Sequence, residues 1–256
     1  MISKDTKLKA LIFDVDGTLA DTEEAHRCAF NEAFVQHGLD WNWSKPKYAE
    51  LLLTTGGKER LGVYIKSLPC SAPEAKVFAE KIKIIHATKT QIYTHMIKAG
   101  QVALRDGVTR LLDEAEQAGV LLSIASTTTL ANIESLLCTH LGARALERFA
   151  VIGAGDQVRR KKPSPDIYDV VIHKLNTPAK NCVAIEDSAN GLRAAKSAGL
   201  FTVVTPSYWT QGEDFAAADM VIPSLGSVER PLTYHAAERV GNNLLGIREI
   251  ERQLNS

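Results

Sequence analysis

Four places in this sequence carry side chains able to do chemistry. The first is "DVDGT", where Asp14 and Asp16 stand one residue apart at the end of an apolar run. Two carboxylates held that close repel each other, so the pair calls for a metal ion, a shared proton or tolerated strain. The others are Ser126 after "VLLSIA", the loop "KKPSPD" over 161–166, and "EDS" over 186–188. Each also has a plain structural reading. Asp187 or Ser188 can satisfy the free N–H groups of a helix start, Ser126 can cap a helix beginning near Leu130, and "KKP" can be a solvated loop. All four, however, fall at the end of a predicted strand or in the turn after it. A parallel sheet gathers such ends along one edge, so the four can converge.

The elements that would position them follow from hydrophobic pattern. Leu8 to Phe13 is apolar except for Lys9, as expected of a strand covered on both faces. Further strand-like runs occupy 120–126, 149–154, 182–187, 201–205 and 219–222. Between them lie helical patterns such as "GVTRLLDEAEQAG", "LANIESLLCTHLG", "SPDIYDVVIHKLN" and "SANGLRAAKSAG". This alternation predicts an α/β fold with a Rossmann-like, doubly wound parallel sheet. Residues 22–100 break the rhythm. "EEAHRCAFNEAFVQHG" sets Ala25, Ala29, Phe30, Ala33 and Phe34 on one stripe, and a second long helix opens at "SAPE" with a capping box. The division expected is 1–21 and 101–235 as core, 22–100 as a helical cap inserted after the first strand, and 236–256 as a C-terminal helix on the core. An insertion leaving at that point is expected to act as a lid over the ligand-binding edge.

Composition excludes several classes. Lys plus Arg and Asp plus Glu both total 30, which gives no global charge to attract nucleic acid or an anionic membrane. No apolar run reaches the ~18 residues of a membrane span, and the start lacks the apolar segment of a secretion signal. Cys28, Cys70, Cys138 and Cys182 are scattered without CxxC spacing and read as reduced thiols of a cytoplasmic protein. The first strand leads into "DVDGT" and not into a GxGxxG loop, which argues against a dinucleotide site.

"DVDGT", Ser126, Lys162 before "PSPD", and "EDSANGL" resemble, in order and spacing, the four motifs of the haloacid dehalogenase (HAD) superfamily. "DGTLADTEEAHRCAFN", "TTGGKER", "AGDQVRRKKPSPDIY" and "EDSANGLRAAKSAG" are similar to the CbbY subfamily of sugar-phosphate phosphatases, whose substrate is xylulose 1,5-bisphosphate, a misfire product of Rubisco. The resemblance covers all but about the last twenty residues and implies a Mg²⁺-dependent phosphatase of the bacterial cytosol or plastid stroma, serving the Calvin cycle. It also implies a sugar bisphosphate as the only partner, with no nucleic acid and no membrane, and a monomer.

The residue types suit that chemistry. A phosphate ester repels an attacking anion, so Asp14 as nucleophile needs a cation to neutralise the phosphoryl oxygens. Asp14, Glu186 and Asp187 would supply hard oxygen donors to Mg²⁺, and the family adds the backbone carbonyl of Asp16. Asp14 would become a phospho-aspartate while Asp16 exchanges a proton with the leaving oxygen and then with water. The family motif pairs Lys162 with Asp14 and the phosphate, and gives Ser126 a hydrogen bond to it; Lys161 is the neighbour that competes for the lysine role. Substrate-binding candidates are Glu23, His26, Tyr48, Gly56, Gly57, Lys58, Arg60 and Thr127. The glycine pair would let backbone approach an anion that Lys58 and Arg60 grip; a solvated turn, and packing for Tyr48, are the plain readings. The alternatives are a β-phosphoglucomutase-like phosphomutase, a phosphatase of another small ester such as phosphoglycolate, and a non-catalytic binding protein.

Overall fold

The computed structural model describes residues 7–255. Six strands form one sheet: β1 (Ala10–Phe13), β2 (Leu121–Ala125), β3 (Phe149–Gly153), β4 (Cys182–Glu186), β5 (Phe201–Val204) and β6 (Met220–Val221). Their order is β3-β2-β1-β4-β5-β6 and every pairing is parallel. The sheet is the doubly wound one expected. Its order reverses between β1 and β4, and open sheets of this type bind ligands at the carboxyl end of that crevice. All four residues of β1 are buried, as a central strand covered on both faces requires.

The chain divides into two compact units, one of 1–21 and 103–256, the other of 22–102. The second holds α1 (Glu23–Gln36), α2 (Lys45–Leu52), α3 (Gly57–Ser67) and α4 (Ala72–Lys98). Ala25, Ala29, Phe30, Ala33 and Phe34 form the buried stripe of α1. Helix α4 opens on the capping box of Ser71 and Glu74, each side chain meeting the other's backbone N–H. Aromatic packing fills this unit: Trp43 lies 4.6 Å from Phe30, 5.0 Å from Phe34 and 5.3 Å from Tyr64, centroid to centroid. Such pairs add about 0.5–1.5 kcal/mol each beyond the area they bury.

In the first unit the helices are α5 (Val108–Gln117), α6 (Leu130–Leu141), α7 (Asp166–Leu175), α8 (Ala189–Ser197), α9 (Tyr234–Val240) and α10 (Ile247–Leu254). The single C-terminal helix expected over 236–256 is two helices. Gly241 (φ 73°) ends α9 in the left-handed conformation that favours glycine, and the chain turns before α10 begins. Glu114 on α5 accepts a hydrogen bond from the Ile247 N–H, and Arg110 donates to the Leu245 carbonyl, fastening α10 to α5. Among the described residues no helix is long and apolar enough to cross a membrane.

Candidate active site

The register of the sheet brings the first and last motifs together. Phe13 pairs with Ile185 across β1 and β4, so Asp14 and Glu186 emerge side by side at the carboxyl edge, with the Asp14 N–H bonded to the Ile185 carbonyl. Asp14, Glu186 and Asp187 each offer a carboxylate oxygen within 4.8 Å of the others, and all three are buried. Lys162 reaches into this group. Its Nζ lies 2.7 Å from Asp14 Oδ1 and 2.6 Å from Glu186 Oε1. Lys162, which makes both contacts, is buried, whereas Lys161 is half-buried.

Three carboxylates around one ammonium leave negative charge unmatched in a buried site. Burial, aided by the charges of Glu186 and Asp16, pushes the Asp14 carboxyl up to about 8 against the pull of Lys162. Burial, then Asp14 and Glu186, hold Asp187 well above the usual carboxylate range. Burial opposes the charge on Lys162, but Asp14 and Glu186 outweigh it and raise its pKa. Asp14 and Asp187 are thus driven toward their neutral forms until a further cation enters. The donor set is all oxygen, anionic and convergent, and it fits a hard divalent cation.

The turn after β1 is built for this crowding. Gly17 has φ 86°, and a Cβ there would stand 2.1 Å from Asp187 Oδ2. Asp16, half-buried in the same turn, bridges through its backbone to Ala20. Ser188, not Asp187, caps α8 by accepting the Gly191 N–H, which leaves the Asp187 carboxylate for the site; Thr210 Oγ1 donates to its Oδ2 at 3.2 Å. Likewise Thr129, not Ser126, caps α6. Ser126 is buried at the end of β2, the neighbour of β1, and its Oγ accepts the Thr128 N–H. Thr127 is half-buried beside it, with its carbonyl so near Gly155 that a Cβ there would stand at 2.1 Å.

The remaining candidates lie in the helical unit, where Glu23, Tyr48 and Arg60 form one cluster and His26 belongs to another. Tyr48 donates to Glu23 Oε2 at 2.6 Å, and the buried Arg60 donates to Tyr48 Oη at 2.8 Å and lies 3.8 Å from Glu23. Arg60 also stacks 5.0 Å from the Tyr48 ring. Lys58 is exposed on α3. Gly56 has φ 98°, and Gly57 lies against His86, whose Nε2 would stand 2.7 Å from a Cβ there. His26 Nδ1 lies 2.8 Å from the buried Lys89, whose ammonium faces the rings of Phe30 and Tyr93. Lys89 went unnoticed in the sequence. Its signal was there: Ile85, Lys89, Tyr93 and Ile97 are the buried positions of α4, spaced by four, with a lysine in an otherwise apolar stripe.

Residues 11–205 match the haloacid dehalogenase-like hydrolase family. The chain is 50% identical to the protein CbbY of Rhodobacter capsulatus over 221 residues, 86% of this chain and 95% of that protein. It is 49% identical to the plasmid-encoded CbbY of Cupriavidus necator over 229 residues, 89% of this chain and 90% of that one. Among solved structures, a mutant CbbY from Rhodobacter sphaeroides in complex with xylulose-(1,5)bisphosphate is 46% identical, with a TM-score of 0.79 over 87% of this chain and 98% of that one. A β-phosphoglucomutase from Clostridium difficile, 23% identical with a TM-score of 0.68 over 97% of each chain, shares the fold. With its core motifs converging at the switch point of the sheet and these relatives matching nearly end to end, the chain belongs to the haloacid dehalogenase-like hydrolases and, within them, to the CbbY proteins.

Proposed function

We propose that this protein is a Mg²⁺-dependent phosphatase of sugar bisphosphates that converts xylulose 1,5-bisphosphate to xylulose 5-phosphate and inorganic phosphate in the cytoplasm. One observation carries the substrate: a CbbY 46% identical to this chain over most of its length was solved with that bisphosphate bound. The buried Asp14–Lys162 pair beside Asp187 supports the chemistry.

Asp14, Asp187 and the Asp16 carbonyl, with Glu186 beside them as the remaining acidic donor, would hold Mg²⁺, which supplies positive charge for the phosphoryl oxygens and for the three crowded carboxylates. An Asp14 carboxylate oxygen attacks phosphorus, and the bond from phosphorus to the sugar oxygen breaks with its electron pair on that oxygen. Asp16 in its acid form protonates the leaving oxygen. Asp16, now a carboxylate, takes a proton from water as that water attacks the phospho-aspartate, and the acyl–phosphate bond breaks to release phosphate and restore Asp14. Lys162 keeps the Asp14 carboxylate in place and balances charge as the phosphoryl group transfers. Ser126 and Thr127 bind phosphoryl oxygens. Glu23, His26, Tyr48, Gly56, Gly57, Lys58 and Arg60 receive the rest of the substrate.

The test is phosphate release over a panel of sugar mono- and bisphosphates, phosphoglycolate included. The expected result is the highest kcat/KM for xylulose 1,5-bisphosphate. A preference for a monophosphate would overturn the substrate. Conversion of β-glucose 1-phosphate to its 6-phosphate isomer without phosphate release would make the protein a mutase.

A further inference from the structure

The proposed chemistry uses Lys162 and the carboxylates but leaves Tyr168 unexplained. This residue of α7 is fully buried, in an apolar cluster with Ile12, Ala125, Ala184 and Ala194. A phenylalanine would pack there as well, and a buried hydroxyl costs stability unless it finds a partner. The Tyr168 hydroxyl donates to Glu186 Oε1 at 2.6 Å, the same oxygen that receives Lys162 Nζ at 2.6 Å. Two donors fill both lone pairs of that oxygen. On the other side, Glu186 Oε2 accepts the Asp187 N–H at 3.2 Å and is enclosed by Gly191, where a Cβ would stand 1.9 Å away. The carboxylate of Glu186 cannot turn without breaking a bond or a packing contact. Lys162 Nζ, meanwhile, stands 5.0 Å from the centroid of the Tyr168 ring, within the range of a cation–π attraction.

We infer that Tyr168 is a positioning residue: through Glu186 and through its own ring face, it holds the Lys162 ammonium against Asp14. A lysine has four rotatable side-chain bonds, and freezing them in one place costs entropy. Asp14 alone is a poor anchor, because its carboxylate changes as the reaction proceeds. Glu186 gives Lys162 a second anchor besides Asp14, and the phenol keeps Glu186 still. The inference rests on the phosphatase reading for its effect on rate, but its geometry stands without substrate.

The experiment compares wild type with Tyr168→Phe, which keeps the ring and removes the hydroxyl, and with Glu186→Gln and the double variant. Tyr168→Phe is expected to lower kcat about 5- to 20-fold with KM within about twofold, an effect on the reacting state more than on binding. In the Glu186→Gln background the same change should cost little more, since the route from Tyr168 to Lys162 is already cut. A readout free of substrate is the ¹⁵N–¹H signal of the Lys162 ammonium, assigned by its disappearance in Lys162→Arg. It should be sharp in wild type and broadened by faster exchange in Tyr168→Phe. An unchanged kcat, losses that add in full across the double variant, an unaltered ammonium signal, or a Tyr168→Phe chain that fails to fold would each overturn the inference. If wild type releases no phosphate from any ester while the signal still depends on Tyr168, the proposed function fails and the positioning role stands.

Discussion

Asp14 is asked to be a buried carboxylate beside two others, and its neighbours show what each charge is for. Asp14→Asn should reduce turnover by a factor of about 1,000 or more, because no carboxylate oxygen remains to take the phosphoryl group. The thermal midpoint of the metal-free protein should not fall, since one of three repelling carboxylates is gone. A covalent phosphate trapped in wild type and located by mass spectrometry on any residue other than Asp14 would refute the nucleophile. The two lysines of the loop offer a paired control. Lys162→Met leaves Asp14 and Glu186 without their shared cation, and kcat should fall about 100- to 1,000-fold. It should also destabilise the fold by about 3–5 kcal/mol, as breaking a buried pair does. Lys161→Met should leave kcat within about threefold; the reverse pattern, read from steady-state rates and thermal melts, would exchange their roles.

At the scale of elements, the site depends on two close approaches of backbone to carboxylate. In the turn after β1, Gly17 combines a left-handed φ with a position that a methyl group would share with Asp187 Oδ2. Gly17→Ala therefore carries a backbone cost of about 1–2 kcal/mol and displaces Asp187. Mg²⁺ affinity measured by isothermal titration should fall at least about tenfold. Unchanged affinity would mean that Asp187 is not a ligand. The start of α8 repeats the theme, with Gly191 packed on Glu186. The capping residues share the work in the same way: Ser188 and Thr129 satisfy the helix starts, so that Asp187 and Ser126 need not.

For the molecule as a whole, the unmatched charge at the sheet edge links stability to metal. Excess chelator should abolish phosphatase activity and Mg²⁺ restore it; full activity in chelator would assign the acidic cluster another task. Mg²⁺ at about 100 times its dissociation constant should stabilise the protein by about 2.7 kcal/mol, read as a rise of several degrees in calorimetry. The helical unit carries a different prediction. Arg60 is already tied to Tyr48 and Glu23, which fixes its guanidinium in a network instead of leaving it loose in a turn. Arg60→Ala should lower kcat/KM for xylulose 1,5-bisphosphate about 10- to 100-fold, the effect of one charge-assisted contact, and change hydrolysis of a sugar monophosphate little. Equal losses on both substrates would place Arg60 in the folding of the helical unit and not in substrate choice.

The alternation of strands and helices was legible in the sequence, because period-two and period-3.6 burial are written in side-chain order, and so was a parallel sheet whose edge was expected to gather Asp14, Ser126, Lys162 and Asp187. The stripe of α1 and the capping box of α4 were legible for the same reason: both are local. What remained undecided needed contacts between residues far apart in the chain. That Lys162 is buried and reaches Asp14 and Glu186 could not be read from the loop's sequence. The caps of α6 and α8 were misassignable by one to three residues, since Ser126 and Asp187 have the right chemistry and only backbone geometry excludes them. That Gly57 also gives room to His86 shows only in the fold. One helix was expected over 236–256, yet Gly241 ends the first segment and the Leu225 carbonyl takes the Leu245 N–H between the two. Tyr168 reads in sequence as one more apolar position of α7; its phenol gains a purpose only when folding sets it beside Glu186, where a buried hydroxyl must have a partner.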